Sequence, residues 1–329
     1  MPAPAPKPFF WLADRARLSV LALVVVACAL PFGISDYHVF QLNMVVTNAI
    51  ALLGLNLLTG YNGQISLGHS AFYAIGAYTA AILSDRFGVP MYLTVPCAGL
   101  LCLCVGFLFG LPALRLEPLY LALATFALGV AMPQVLKYKG IDAWTGGVQG
   151  ITLLKPDAPF GLRLSPDQWL YLVSLAVMLG LFWAAYNLIH SHTGRALIAI
   201  RDNPLAAAAM GIDTARYKSI TFGISAMYTG IAGALAAVAV QFVAPDSFGS
   251  FVSTTFLVGI VVGGLASISG ALYGAVFIQF VPNVADQISK AAPWAIYGAL
   301  LITCVYLMPT GIAGFVQRGL SKLRGNPSR

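Results

Sequence analysis

Apolar positions in this chain run in long blocks that no charge interrupts. Asp, Glu, Lys and Arg are absent from residues 37–84, 87–114, 118–136, 168–194, 219–245, 247–285 and 291–317. A helix crosses the bilayer hydrocarbon in about 20 residues, so each block holds at least one crossing and the longest holds two. The pattern predicts spans near 18–34, 39–58, 92–111, 120–135, 169–188, 220–243, 251–265, 270–284 and 293–308. A shorter helix at 71–83, rich in small residues, makes about ten transmembrane helices, some short or broken. The fold class is therefore an all-α polytopic membrane protein. A transmembrane β-barrel would show short alternating strands instead.

Two polar breaks interrupt the uncharged blocks. The first contains Asn62, Gln64, Ser66, Gly68, His69 and Ser70; the second is the Gly/Ser stretch 263–274. Irregular backbone at membrane depth is tolerated only where protein covers it or where it lines a watery cavity. The first break is thus a candidate for a translocation path, or else a tight loop between helices, with His69 a satisfied structural histidine. Just after it, Ser70, Ala74, Ala77 and Ala81 share one helical face, which permits close helix packing. Paired interruptions in two halves suggest an internal repeat around a central site.

Charge then sets the orientation. Arg15 and Arg17 precede the first span, and Arg318, Lys322, Arg324 and Arg329 follow the last. Arg195, Arg201, Arg216 and Lys218 fall in the loop 189–218. The positive-inside rule places both termini and this loop in the cytoplasm. The organisation expected is a flexible N-terminus (1–17), a membrane domain (18–309) and a basic tail (310–329). Val25-Val26-Ala27-Cys28 also fits a lipoprotein cleavage site, but the spans that follow favour a retained anchor. In the turn before residue 118, Arg115 and Glu117 are close enough to pair. The loop 137–167 falls outside, although Lys137, Lys139, Lys155 and Arg163 run against the rule there.

The loop 189–218 contains a complete small helix. Asn203 caps it, Pro204 fits its first position, the run to Met210 includes Ala207 and favours helix, and Gly211 closes it. A second short helix from Gly194 to about Arg201 precedes it, with Thr193 as its cap. Such a rigid pair is either held by another protein or is a surface hairpin.

Composition narrows the chemistry. Charged residues make up 9% of the chain and hydrophobic ones 59%; a soluble surface needs far more charge. Cys28, Cys97, Cys102, Cys104 and Cys304 lie in apolar spans and read as buried hydrophobes. The spacing fits no metal site and nothing calls for a cofactor. The net charge of +7 points to anionic lipid, not nucleic acid. There is no phosphate-binding loop, zinc-protease motif or nucleophile elbow in the sequence. An intramembrane enzyme needs reactive side chains at depth, and the spans offer almost none. Ion-coupled carriers usually keep acidic or His residues there. The architecture therefore favours transport driven by a separate motor. A self-sufficient channel or secondary carrier for a small polar solute is the alternative.

The motif Asn62-Gly63-Gln64-Ile65-Ser66-Leu67-Gly68-His69 with Gly76-Ala77-Tyr78 resembles the membrane subunits of branched-chain amino acid ABC importers, specifically the LivM type. Gly194-Arg195-Ala196-Leu197 and Ile200-Arg201-Asp202-Asn203-Pro204 are similar to that family's ATPase-coupling loop. Thr145-Gly146-Gly147 resembles its external loop. The likeness runs over about residues 39–309. It implies a non-catalytic permease subunit of an inner-membrane importer. Its partners would be a second homologous permease, two cytoplasmic ATPases and a periplasmic solute-binding protein. Arg195, Arg201, Asn203, Pro204, Ala207, Met210 and Gly211 would meet the motor. Thr145, Gly146 and Gly147 would meet the binding protein. Family members often carry Glu where Ala208 stands and an acidic residue near Val130. The family also carries urea and small organic acids, so the solute stays open.

Overall fold

A computed structural model describes residues 22–113, 118–158, 164–288, 290 and 292–323. The expected N-terminal segment 1–17, the Arg115/Glu117 turn, Arg163, Arg324 and Arg329 lie outside the described residues.

The helices in order are α1 (Ala22–Phe32), α2 (Asp36–Asn56), α3 (His69–Phe87), α4 (Met91–Ala113), α5 (Pro118–Leu136), α6 (Asp142–Thr145) and α7 (Pro166–His190). Then come α8 (His192–Asp202), α9 (Pro204–Ala209), α10 (Thr214–Val240), α11 (Ser250–Gly263), α12 (Ile268–Ile288), α13 (Pro293–Leu307) and α14 (Gly311–Leu323). Among the described residues, 7 helices are long and apolar enough to cross a membrane. The pair α13 and α14, bent by 47°, raises this to 8. The two other expected spans are α1, which is shorter over its described part, and α3. A single π-helical turn, Leu57–Tyr61, extends α2 before the chain turns back.

Burial separates a central pair from the rest. Within the best spanning window, α2 and α10 are each 83% buried, against 22–39% for the other spans. They pack on each other; α3 and α4 flank α10, while α7, α11 and α12 flank α2. Small residues make this possible. A Cβ on Gly76 of α3 would overlap the Gly230 carbonyl of α10, and one on Gly106 of α4 would overlap Ala226. In a membrane, where lipid is as apolar as Leu, such backbone approach supplies the packing energy. The small face Ser70, Ala74, Ala77 and Ala81 is fully buried in the same region.

Contacts between helix ends sort them onto two faces. On one, the Gln168 side chain donates to the Pro31 carbonyl at 2.9 Å, Trp169 donates to the Tyr92 hydroxyl at 2.7 Å, and Arg86 reaches the Ala143 carbonyl. On the other, Arg201 donates to the Gly60 carbonyl at 3.1 Å. The segment from Gly63 to Arg86 therefore runs from face to face. It does so as an irregular stretch followed by α3.

The loop 137–167 is folded against the first face. Two-residue strands β1 (Ile151–Thr152) and β2 (Phe242–Val243) pair antiparallel, Ile151 opposite Val243. The basic residues that ran against the charge rule are partly neutralised. Lys137 pairs with Asp246, and Lys155 with Asp167 at 2.7 Å.

Replacing Gly76 by Leu tests the central packing. Overpacking a tight core costs about 1–3 kcal/mol or more, so detergent-solubilised Gly76→Leu should melt well below wild type. Gly180→Leu should not, because a Cβ at Gly180 meets nothing within 4 Å. Equal melting of the two variants contradicts the packing account.

Candidate functional site

The loop 189–218 forms two helices that differ in how they are seated. α8 begins two residues earlier than the sequence indicates. Ser191 is its cap, and the Ser191 hydroxyl accepts the Thr193 N–H at 3.1 Å. Thr193, the residue expected to cap, lies inside the helix. Gly194, Ala196, Leu197 and Ile200 are buried, so α8 lays its apolar side on the body of the protein. α9 is capped as its sequence indicates: the Asn203 carboxamide oxygen accepts the Leu205 and Ala206 N–H groups, both at 3.1 Å. Pro204 occupies its first position. Gly211 follows with φ of 84°, a left-handed conformation that costs side-chain-bearing residues energy. Only Ala207 of α9 is buried, whereas Leu205 and Met210 are both 84% exposed. α9 is thus a rigid projection with apolar tips, carried on α8.

Arg201 ties this projection to the membrane domain. One guanidinium nitrogen donates to the Gly60 carbonyl in the π-helical turn, and two others donate to the Asp202 carboxylate at 3.0 and 2.9 Å. Arg195 is exposed and sits 2.8 Å from the His192 ring nitrogen.

The first break lies directly above that turn. Thr59 donates to the Gln64 carbonyl at 3.0 Å, and the Gln64 N–H returns to Leu58 at 3.1 Å. Ser66 lies 3.0 Å from His69 Nδ1, and His69 Nε2 lies 2.7 Å from Ser225 Oγ. Ser225 donates its own proton to the Gly54 carbonyl at 2.6 Å. The imidazole therefore carries its proton on Nε2 and accepts from Ser66 through Nδ1. Ser253 accepts the Ser70 N–H at 2.8 Å, and Thr125 accepts that of Leu67 at 3.0 Å. The break is stitched to α2, α5, α10 and α11. Gly68 is buried as well, and the Asn62 carboxamide is 2% exposed with no hydrogen-bond partner on either atom among the described residues.

Asn56, the last residue of α2, holds the second break. Its amide donates to the Ser267 carbonyl at 2.8 Å and the Gly264 carbonyl at 3.4 Å, while its oxygen accepts the Ala266 N–H at 2.9 Å. Sequence reasoning passed over Asn56; the available signal was an asparagine deep in an uncharged span. In the loop 137–167, Thr145 and Gly147 are buried inside the turn. Thr145 donates to the Leu136 carbonyl at 2.8 Å, and Gly146 is left-handed with φ of 70°. The residues this turn presents to solvent are Trp144 and Val148, with Leu154 88% exposed nearby. No group of three or more His, Cys, Asp or Glu that would hold a metal ion occurs among the described residues.

Residues 38–306 match the protein family described as branched-chain amino acid transport system, permease component. The chain is 31% identical over 322 residues to the high-affinity branched-chain amino acid transport system permease protein LivM of Salmonella typhimurium, covering 91% of this chain and 75% of that protein. It is 31% identical over 335 residues to its namesake in Escherichia coli, covering 94% and 78%. It is also 26% identical to a probable LivH permease of Methanocaldococcus jannaschii, covering 85% and 93%. No solved structure matches the chain significantly. A family match across most of its length, on a helical body with two stitched breaks and a capped projecting helix, makes this chain a member of the branched-chain amino acid transport permease family.

Proposed function

We propose that this chain is one of two different membrane subunits of an ATP-driven importer for branched-chain or related amino acids, placed in a bacterial inner membrane. Two cytoplasmic ATPases hold α9, and a periplasmic solute-binding protein docks on the loop 137–167. α1 and α3 count as crossings, which gives ten and puts both termini in the cytoplasm beside the loop 189–218.

The observation that carries this reading is the projecting helix α9 and its linkage. Leu205 and Met210 offer apolar surface that a soluble partner would cover. Arg195 adds a charge at the same face. Behind them Arg201 holds Gly60, and Asn56 holds the second break. Closure of a motor dimer would move α9 and α8 as a unit. Arg201 would carry that displacement to the π-helical turn, a geometry often found at functional positions. The break from Asn62 to Ser70 would then change its exposure to the pathway. For ATP to drive transport, the motor must bind the inward and outward states with different free energy. The soluble receptor selects the solute, so the cavity binds it weakly. Urea or small organic acids would suit the same machinery.

Gly211→Pro tests the linkage. Proline fixes φ near −65°, whereas Gly211 has φ of 84° and donates its N–H to Ala208 at 3.0 Å. In the reconstituted importer, leucine uptake and solute-stimulated ATP hydrolysis should fall at least about tenfold, an energetic change of roughly 1.4 kcal/mol. The chain should still insert and should melt as wild type does. Unchanged uptake would remove this loop from the mechanism.

Sidedness has its own test. In a background with the native cysteines replaced by Ala, Leu154→Cys should react with an impermeant maleimide in spheroplasts. Leu205→Cys should react only after the membrane is opened. The reverse pattern would invert the proposed orientation.

A further inference from the structure

Side-chain amides gather between α2 and α12, in the half of the bundle that ends at the first face. Asp36, at the start of α2, accepts a hydrogen bond from Ser165 at 2.9 Å and so marks that face. Gln41 donates to the Tyr37 hydroxyl at 2.9 Å, Gln279 donates to the Gln41 side-chain oxygen, and Asn48 donates to that of Gln279 at 3.3 Å. One turn further along α12, the Asn283 amide donates to the Gln279 main-chain carbonyl at 3.0 Å. With a rise of about 1.5 Å per residue, Asn48 lies roughly 18 Å from the start of α2, and Gln279 roughly 14 Å from the end of α12. Both are near mid-depth in a hydrocarbon layer about 30 Å thick.

The row opens towards the outside of the bundle. Gln41 and Asn48 are buried, Gln279 is half-buried, and Tyr37 and Asn283 are exposed. Helix packing does not require these amides. α11 and α12 already meet backbone to backbone, where a Cβ on Gly274 would overlap the Gly259 carbonyl, and Leu52 of α2 lies against both glycines. The Asn283 carboxamide makes no hydrogen bond among the described residues besides the one to its own helix. Hydrocarbon would leave the rest of that group unpaired, so polar side chains at depth face protein or water. Exposed Val276 and Val284 flank Asn283 on the same helix.

We propose that Gln41, Asn48, Gln279 and Asn283 line the outer half of the solute passage and take a zwitterionic amino acid with an apolar side chain. Amide oxygens accept from its ammonium group, and amide N–H groups donate to its carboxylate. Val276 and Val284 meet its side chain. The row carries no fixed charge, and this decides the class. A zwitterion meets no repulsion at either end, whereas a solute with net charge finds no counter-charge to offset its desolvation. Binding stays weak, because an amide that takes the solute gives up a partner in the row. The inference rests on the importer reading, in which the second permease supplies the facing wall. It deepens that reading by placing the outer passage on the α2 and α12 face.

The test reads water access and solute protection in the assembled importer, with the native cysteines replaced by Ala. Asn283→Cys and Leu100→Cys are each treated from outside with an impermeant methanethiosulfonate; Leu100, in the middle of α4, is 62% exposed and stands for a side chain facing lipid. The reagent attacks the thiolate, which apolar surroundings suppress. Asn283→Cys should therefore react at least about tenfold faster than Leu100→Cys. Excess leucine should slow that reaction, and lysine or glutamate at the same concentration should slow it less. Asn283→Leu should lower leucine uptake about fivefold, the effect of one neutral hydrogen bond, with melting and basal ATP hydrolysis unchanged. ATP-driven leucine uptake by the parent protein checks the importer reading separately; without it that reading falls and takes this inference with it. With uptake present, equal reaction of the two cysteine variants would overturn the inference alone and assign the face to lipid or a protein contact. So would labelling that leucine does not slow, equal slowing by lysine, or normal uptake by Asn283→Leu.

Discussion

Backbone that leaves helical geometry inside a membrane must find hydrogen-bond partners within the protein, because hydrocarbon offers none. Among the described residues the chain leaves that geometry at the break that contains Asn62, and the turn around Ala266, which joins α11 to α12, is held in the same way. Most of the structure around both is arranged to supply those partners. Asn56 serves three backbone groups of the second break by itself. Thr59, Thr125 and Ser253 serve the first. His69 is held between two serines, one of which also restrains Gly54. A polar side chain left unpaired in these spans would be a cost; here each removes one.

That requirement also explains why α2 and α10 are central. The groups that serve the breaks lie on α2, α5, α10 and α11, so these helices must come close to one another. Gly54 allows it between α2 and α10, where a Cβ would overlap the Ser225 carbonyl, and Gly76 brings α3 onto the α10 backbone at Gly230. The coupling geometry follows from the same arrangement. Gly60 lies in the last residues of the π-helical turn, and a single arginine on α8 reaches its carbonyl. On the proposed function, a push on α9 would arrive at the point where the helix gives way to irregular backbone.

The sequence made some of this visible and hid the rest for definable reasons. Uncharged blocks marked the spans, and cap chemistry marked α9, because both depend on neighbours a few residues away. Asn203, Pro204 and Gly211 stand where local rules put them. The start of α8 was less legible: Ser191 and Thr193 both carry a hydroxyl, and only the packing of Gly194 against the end of α7 selects Ser191. The bend that makes α14 a helix of its own was read as a tail, since its apolar positions are too few to span. Asn56 acts on residues 208–211 positions away, a distance no local pattern encodes. In the loop 137–167 the motif residues Thr145 and Gly147 are interior to the turn, and their neighbours Trp144 and Val148 take the exposed places. The motif marks where the chain bends, and the exposed surface lies beside it.

The central claim is that this chain works as one part of an assembly whose energy enters through α9. The most direct measurement is extraction from native membranes in a mild detergent, followed by mass determination of the intact complex and identification of each chain. The account predicts one copy of this chain with one second permease and two ATPase chains. A lone chain, or a homo-oligomer that persists across several mild detergents, would contradict it.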